Sequence, residues 1–249
     1  MALPTVFTYH PQTKEFMGKD TAPIDPEESR VAEKKVYRPN AWSTPIKPAT
    51  HPAPAGQANV FDESAGKWNL VEDHRGAVYD TSTGAERQHH DLGPLPTNLT
   101  DQAPASPFDS WDGAAGAWSF DPVKSAGSRR VAIAGDCRDA ITAGRVCNTL
   151  GTDHTYPTSE RDQANLAAQV LAAQINGASG EPYKFWCADP QGAWARRPHT
   201  AAQILAVGEA VRKHVTACQD QYEALTQQLD ALAASTTTTK ADIAAVTWI

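Results

Sequence analysis

The stretch "TAAQILAVGEAVRKHVTACQDQYEALTQQLDALAA", residues 200–234, has the most regular pattern in the chain. Thr200 precedes the first apolar residue and is a typical helix N-cap. Apolar positions then recur at alternating spacings of four and three, which predicts one long helix with a heptad seam. Gly208 lies within this seam, whose larger side chains are Ile204, Val211, Val215, Cys218, Tyr222, Leu225, Leu229 and Leu232.

Two interpretations of this helix are open. It is either one amphipathic helix packed on its own domain, or a helix whose seam joins copies of the chain. The strict spacing favours association, and we expect the eight seam side chains to form the interface of a homotrimer. The flanking positions are mostly neutral, so charge pairing does not fix the number of partners.

The rest of residues 125–249 is rich in Ala and predicts an α-rich C-terminal domain around the helix 200–234. Ser159, with Asp162 three residues later, predicts the start of another helix, which Gly177 ends. The segment "EPYKFWCADPQGAWARRP" predicts a β-hairpin because aromatic residues flank its "DPQG" turn.

Residues 59–124 predict a small β-hairpin domain. Short alternating segments are separated by turns at Gly66 and Gly84, which indicates a meander. Trp68, Trp111 and Trp118 are expected to form its small core.

Residues 1–58 contain nine of the 18 prolines in the chain and predict an extended arm. Short alternating pieces within it could pair with the edge of another sheet. The fold class expected for the whole chain is therefore α+β, with an extended arm that docks on another protein, a small β meander and a helical domain.

Composition and charge exclude several classes of function. The net charge is -7, and the basic residues are scattered, so a nucleic acid is not an expected partner. No run of about 18 apolar residues and no secretion signal is found, so we expect no membrane insertion. The four cysteines form no CxxC pair, and buried free thiols are the expected state.

Candidate catalytic residues are few. Asp73, His74 and Arg75 are consecutive, so on a strand their side chains would alternate between faces, and a turn is the better interpretation. His89 and His90 lack metal-ligand spacing. Asp109 and Asp112 could serve a glycan hydrolase as a carboxylate pair, but we expect them in a flexible Gly-rich loop without rigid support. No nucleophile, phosphate-loop or dinucleotide motif is found, so we expect no enzyme activity, cofactor or metal.

The sequence resembles a family of phage tail fibre and tail fibre assembly proteins. The resemblance lies in "WNLVEDHRG", in "LGPLPTNLTDQAP" and in C-terminal segments such as "AITAGRVCNTLGTDHTYPTSERDQANL" and "FWCADPQGAW". The C-terminal part is similar to a phage tail domain of unknown function.

The resemblance implies a structural component of the tail, either a fibre or a fibre-attachment protein. Such a protein would be made in the host cytoplasm, reside in the virion, bind other tail or fibre proteins through its arm and contact a host surface receptor. The alternative is a tail fibre assembly chaperone that the virion does not retain.

Overall fold

The computed structural model describes residues 3–249, which divide into two compact units with a boundary between Ser119 and Phe120. Helices and strands both contribute, so the expected α+β class is confirmed. The first unit is built from β-strands and one short helix, and the second from helices around a single sheet.

The N-terminal segment is folded, which differs from the extended arm predicted for residues 1–58. Residues 1 and 2 lie outside the described part. The elements of the segment are β1 (Thr5–Tyr9), β2 (Phe16–Thr21), α1 (Pro26–Val31) and β3 (Ser43–Thr44). The prolines do not prevent this fold because none lies within a strand, and Pro26 begins α1, where no backbone N–H is needed. Strand β1 lies between β2 and β3, and Val6, Phe7 and Tyr9 are buried.

Seven further strands follow before the second unit begins. They are β4 (Gln57–Asp62), β5 (Lys67–Glu72), β6 (Gly76–Asp80), β7 (Glu86–His89), β8 (Leu99–Thr100), β9 (Asp109–Asp112) and β10 (Ala117–Phe120). The sheet order β2-β1-β3 recurs as β7-β6-β8, and each three-stranded sheet is followed by a two-stranded hairpin, β4-β5 or β9-β10. The first unit therefore consists of two modules with the same strand order, residues 5–72 and residues 76–119. This replaces the predicted division into an arm and a separate β domain.

All four hairpin turns of these modules have the same hydrogen-bond pattern and the same backbone conformation. The first turn residue accepts hydrogen bonds from the backbone N–H groups two and three positions later, and the residue four positions later has a positive φ. The four first residues are His10, Asp62, Asp80 and Asp112. The positive-φ residues are Lys14 (59°), Gly66 (62°), Gly84 (72°) and Gly116 (62°). A side-chain acceptor followed by a residue in the left-handed region thus defines every turn, and in three of the four turns that residue is the conformationally permissive Gly.

The three tryptophans expected to share one core occupy different places. Trp68 packs with Phe61 and Phe16 at ring-centroid distances of 5.1 and 5.6 Å. Trp111 and Trp118 form an edge-to-face pair at 5.3 Å on the β9-β10 hairpin. The core therefore differs from the prediction, because each module has its own aromatic cluster.

Corresponding tryptophans also anchor the connector of each module. The Nε1–H of Trp68 donates to the carbonyl of Ile46, and that of Trp118 donates to the carbonyl of Gln102, both at 2.7 Å. These bonds fix the Pro-containing connectors against the hairpins that follow them.

The second unit contains four α-helices and four strands among the residues described. They are α2 (Pro122–Thr142), β11 (Arg145–Cys147), β12 (His154–Tyr156), α3 (Glu160–Asn176), β13 (Tyr183–Ala188), β14 (Trp194–His199), α4 (Ala201–Ala233) and α5 (Lys240–Ala245), with a 3-10 turn at Gly177–Gly180. The strands form one antiparallel sheet in the order β11-β12-β13-β14.

Two hydrophobic clusters stabilise this unit, and α4 contributes to both. The first contains Ile204, Val207 and Val211 of α4 together with Leu166 of α3 and Phe185 of β13. The second contains Leu229 of α4, and its remaining buried members are Ala126, Ile133, Ile243 and Val246. The N-terminal half of α4 therefore packs on the sheet and α3, and its C-terminal half packs on α2 and α5.

Candidate interaction surfaces

Helix α4 begins after Thr200, whose hydroxyl accepts the N–H of Gln203, while the Gln203 side chain accepts the N–H of Thr200. This capping box satisfies two backbone N–H groups and defines the residue at which the helix begins. Ile204, Val211, Cys218 and Leu229 of the predicted seam are buried within the second unit. The other four predicted interface residues, Val215, Tyr222, Leu225 and Leu232, are partly buried against the same two clusters.

The seam is therefore buried inside the second unit. This agrees with the interpretation of α4 as one amphipathic helix packed on its own domain. A side chain that is buried against its own domain cannot also face a second copy unless the domain opens. Association into a homotrimer stays a prediction, and a trimer would need another surface.

The crossing of α3 and α4 leaves a groove beside the buried seam. The two helices approach closely at Gly208, where an added Cβ would lie 2.5 Å from Cγ2 of Val170. The groove has a volume of about 460 Å³, and Leu166, Leu205 and Val215 contribute to its walls. Glu209 and Arg212 also line it and form an ion pair at 2.8 Å, so the two charged side chains of the groove pair with each other.

The Asp73-His74-Arg75 triplet connects the two modules of the first unit. The Arg75 guanidinium donates two hydrogen bonds to Glu15, at 2.9 and 2.8 Å, and also donates to Asp73. His74 lies 3.3 Å from Glu72 and 3.5 Å from Asp101 of the second module. The Arg75 guanidinium holds the pKa of Asp73 below its usual range, as is expected for a carboxylate in an ion pair. These contacts are structural ones, because each charged group is directed at another group of the protein.

The Asp109 and Asp112 carboxylates bind backbone groups of their own loops. Asp109 accepts hydrogen bonds from the N–H and hydroxyl of Ser106, and Asp112 accepts from the N–H groups of Ala114 and Ala115. Both carboxylates therefore stabilise loops around the β9-β10 hairpin. The pair considered as hydrolase carboxylates therefore has a structural role in these loops.

A buried polar chain crosses the second unit between the sheet and α4. His199 is bonded through Nδ1 to the carbonyl of Arg197 at 3.0 Å and through Nε2 to the Tyr156 hydroxyl at 2.8 Å. The Tyr156 hydroxyl lies 3.0 Å from Oγ1 of Thr149. A neutral His199 ring protonated at Nδ1 satisfies both of its bonds. Burial lowers the pKa of His199 and raises that of Tyr156 to about 12, so both side chains are neutral near pH 7.

The remaining candidate groups form no site. All four cysteines are buried and free, as predicted, and burial raises the pKa of each thiol. Across residues 3–249, no group of three or more His, Cys, Asp or Glu side chains is placed to hold a metal ion. None of the helices in the described part of the chain combines the length and the apolar character needed to cross a membrane.

An exposed aromatic surface lies on the solvent face of the β13-β14 hairpin. Along β13, Tyr183, Phe185 and Cys187 are buried, and the intervening residues Lys184 and Trp186 are exposed. On β14, the exposed residues Trp194, Arg196 and Pro198 lie opposite Ala188, Trp186 and Lys184, respectively. Trp186 and Trp194 are 50% and 52% exposed. We define this cluster, Lys184, Trp186, Trp194, Arg196 and Pro198, as the tryptophan face.

The sequence analysis identified this hairpin but missed its exposed face. The available signal was the alternation of β13, where Tyr183, Phe185 and Cys187 share one face and Lys184 and Trp186 share the other. Nothing in that alternation identifies which face is covered, because both faces contain aromatic side chains.

One protein family and several curated proteins match parts of this chain. Residues 124–247 match the family described as a domain of unknown function, DUF4376. The chain is 39% identical over 104 residues to "Prophage tail fiber assembly protein homolog TfaR" of Escherichia coli (strain K12), which covers 41% of this chain and 49% of that protein. It is 38% identical over 104 residues to "Tail fiber assembly protein" of Escherichia phage lambda, with 41% and 48% covered.

The chain spans about half the length of these curated relatives. No solved structure matches it. The matches confirm the resemblance that the sequence analysis drew.

Proposed function

We propose that this chain, which resembles phage tail fibre assembly proteins and carries a C-terminal DUF4376 domain, assists the assembly of a tail fibre by binding the fibre polypeptide. The observation that carries the proposal is that curated relatives are named as tail fibre assembly proteins. The chain would act by binding alone, without a chemical step or a cofactor.

This proposal adopts the alternative from the sequence analysis in place of a structural fibre component. A structural stalk was inferred from a heptad seam that joins copies, but Ile204, Val211 and Leu229 of that seam are buried within their own unit. The names of the relatives also favour assembly over residence in the fibre. Under this proposal the chain is made in the host cytoplasm and leaves the fibre before or when the particle is complete.

Co-expression with the tail fibre chain of the same phage tests the proposal. We expect the yield of soluble, correctly associated fibre to rise several-fold when this chain is present, because exposed apolar surface on a nascent fibre otherwise leads to aggregation. The measurement is the amount of fibre oligomer by size-exclusion chromatography with light scattering. An equal yield with and without this chain would contradict an assembly role.

Mass spectrometry of purified phage particles distinguishes an assembly protein from a structural component of the fibre. An assembly protein should be absent from the particles or present far below the amount of fibre. A constant ratio of this chain to the fibre in the particles would favour a structural component that takes part in host attachment.

A further inference from the structure

We propose that the tryptophan face of the β13-β14 hairpin is the surface that binds the fibre, and that it recognises an acidic patch with apolar side chains on the fibre polypeptide. This inference rests on the proposed function and assigns the surface that would carry it out.

The tryptophan face departs from the usual pattern of a sheet. An antiparallel sheet with one face on a core normally has polar side chains on the other face. Here the inner side chains Tyr183, Phe185 and Cys187 are in the core, and the outer positions contain two half-exposed tryptophans. A tryptophan has a large apolar area, and two on one open face form a patch of the kind that marks an interaction site.

The two tryptophans lie near each other on this face. In the register of the hairpin, Trp186 lies opposite Arg196, and Trp194 lies opposite Ala188. Trp186 and Trp194 are therefore diagonal neighbours on the same face of a hydrogen-bonded sheet. The inner face of the same hairpin packs on the first hydrophobic cluster, so the strands that carry both rings are held in place by the core.

The tryptophan face is positively charged through Lys184 and Arg196. No ion pair within the described part of the chain involves Lys184 or Arg196, whereas the neighbouring Arg197 is paired with Asp189 at 2.8 Å. Arg196 instead donates to the carbonyl of Lys184 at 3.4 Å, so its guanidinium lies across β13 on the same face. The tryptophan face therefore carries two cations and no carboxylate, on a chain with a net charge of -7. Charge complementarity therefore favours a partner surface that supplies carboxylates.

The edge of this sheet limits how a partner can approach. Strand β14 is the last strand of the sheet, and Pro198 within it has no N–H to donate. A proline in an edge strand opposes the addition of another strand. The partner is thus expected to lie across the face, over the two tryptophans, and not to extend the sheet.

The test is the affinity of the full-length chain for the purified tail fibre chain of the same phage, measured by titration calorimetry. Trp186→Thr combined with Trp194→Thr should weaken binding at least about 100-fold, because buried interface tryptophans are frequent hot spots. Threonine retains strand propensity, and both side chains point away from the core, so the thermal unfolding temperature should hardly change.

The matched control removes exposed apolar side chains from other parts of the same unit. Val131 on α2 and Ile175 on α3 are 75% and 73% exposed. The double variant Val131→Ala with Ile175→Ala should change the affinity by no more than about twofold.

The charge component has its own variant pair. Lys184→Gln with Arg196→Gln should weaken binding about tenfold and flatten the dependence of affinity on salt concentration. Arg138→Gln alters an exposed arginine on α2 and should leave the salt dependence unchanged.

The outcomes separate this inference from the proposed function. If the unmodified chain does not bind the fibre, the proposed function fails and this inference falls with it. If the chain binds and the tryptophan variant binds equally well, the assembly role stands and the assignment of this face is overturned.

Two further results would also overturn the assignment. One is that the tryptophan variant loses binding to lipopolysaccharide vesicles and keeps its affinity for the fibre, which would make the face a glycan site. The other is that the same variant converts an oligomer of this chain to a monomer in light scattering and keeps its affinity for the fibre, which would make it a contact between copies.

Discussion

At the scale of single residues, the repeated hairpin turn depends on a positive φ at its fifth position. Gly116 has a φ of 62°, and an added Cβ there would meet no atom within 4 Å, so a substitution tests the backbone conformation alone. Gly116→Ala should lower the free energy of unfolding of the first unit by about 1–2 kcal/mol. Urea unfolding followed by tryptophan fluorescence measures this change.

Gly113 provides the control within the same loop. It also has open space around it but does not have a positive φ. Gly113→Ala should therefore be neutral or slightly stabilising. Equal destabilisation by the two substitutions would contradict the argument from φ.

His199 should make the stability of the second unit dependent on pH. Burial lowers the pKa of His199 below the value of about 6.5 that it has when the chain is unfolded. Below about pH 6.5 the unfolded chain binds more protons than the folded one, so the free energy of unfolding falls as the pH falls. The urea midpoint should decrease between pH 7.5 and pH 5.5.

His199→Gln should flatten this pH dependence, because glutamine does not titrate. His90→Gln, which replaces an exposed histidine of the first unit, should leave the dependence as it is. An unchanged slope in His199→Gln would show that another group causes the acid sensitivity.

At the scale of elements, α4 should behave as part of a core. Leu229 is fully buried in the second hydrophobic cluster. Leu229→Ala should reduce the free energy of unfolding by about 2–5 kcal/mol through lost burial and the cavity that remains. Leu171→Ala, at a position that is 56% exposed on α3, should have an effect below about 0.5 kcal/mol.

Thermal unfolding together with light scattering distinguishes this role from that of an oligomer seam. If Leu229→Ala dissociated an oligomer and left the unfolding temperature unchanged, the seam would join copies as the sequence analysis expected.

The sequence predicts local features of these elements better than their packing. Ser159, Thr200 and Thr239 are polar residues whose side chains cap the helices that follow them, and such caps depend on only a few neighbouring residues. The sheet order of the first unit depends on β1 pairing with β3, which follows much later in the chain, and no local pattern specifies that pairing. The heptad seam is ambiguous for a physical reason, because an apolar stripe is buried equally well by its own domain or by a copy.

At the scale of the whole molecule, the two units should fold independently. Each has its own aromatic or aliphatic clusters, and the second unit contains both the cap of α2 at Asp121 and the partner strands of its sheet. A fragment of residues 120–249 should therefore keep the helical circular dichroism of α2, α3 and α4 and unfold cooperatively.

The complementary fragment, residues 1–119, should keep the fluorescence of its half-buried tryptophans, Trp68, Trp111 and Trp118. A fragment 120–249 that lacks cooperative unfolding would show that the first unit is needed to hold the second together. The interaction surfaces proposed for the second unit could then not be studied without the first.

The two modules of the first unit have a consequence for how such chains change over evolution. The two modules share a strand order, a turn conformation and a tryptophan hydrogen bond to the connector. Duplication of a gene segment would produce such a pair. Recombination between the two copies could then add or remove a whole module without breaking a sheet. We expect related chains to differ in the length of the first unit by complete modules.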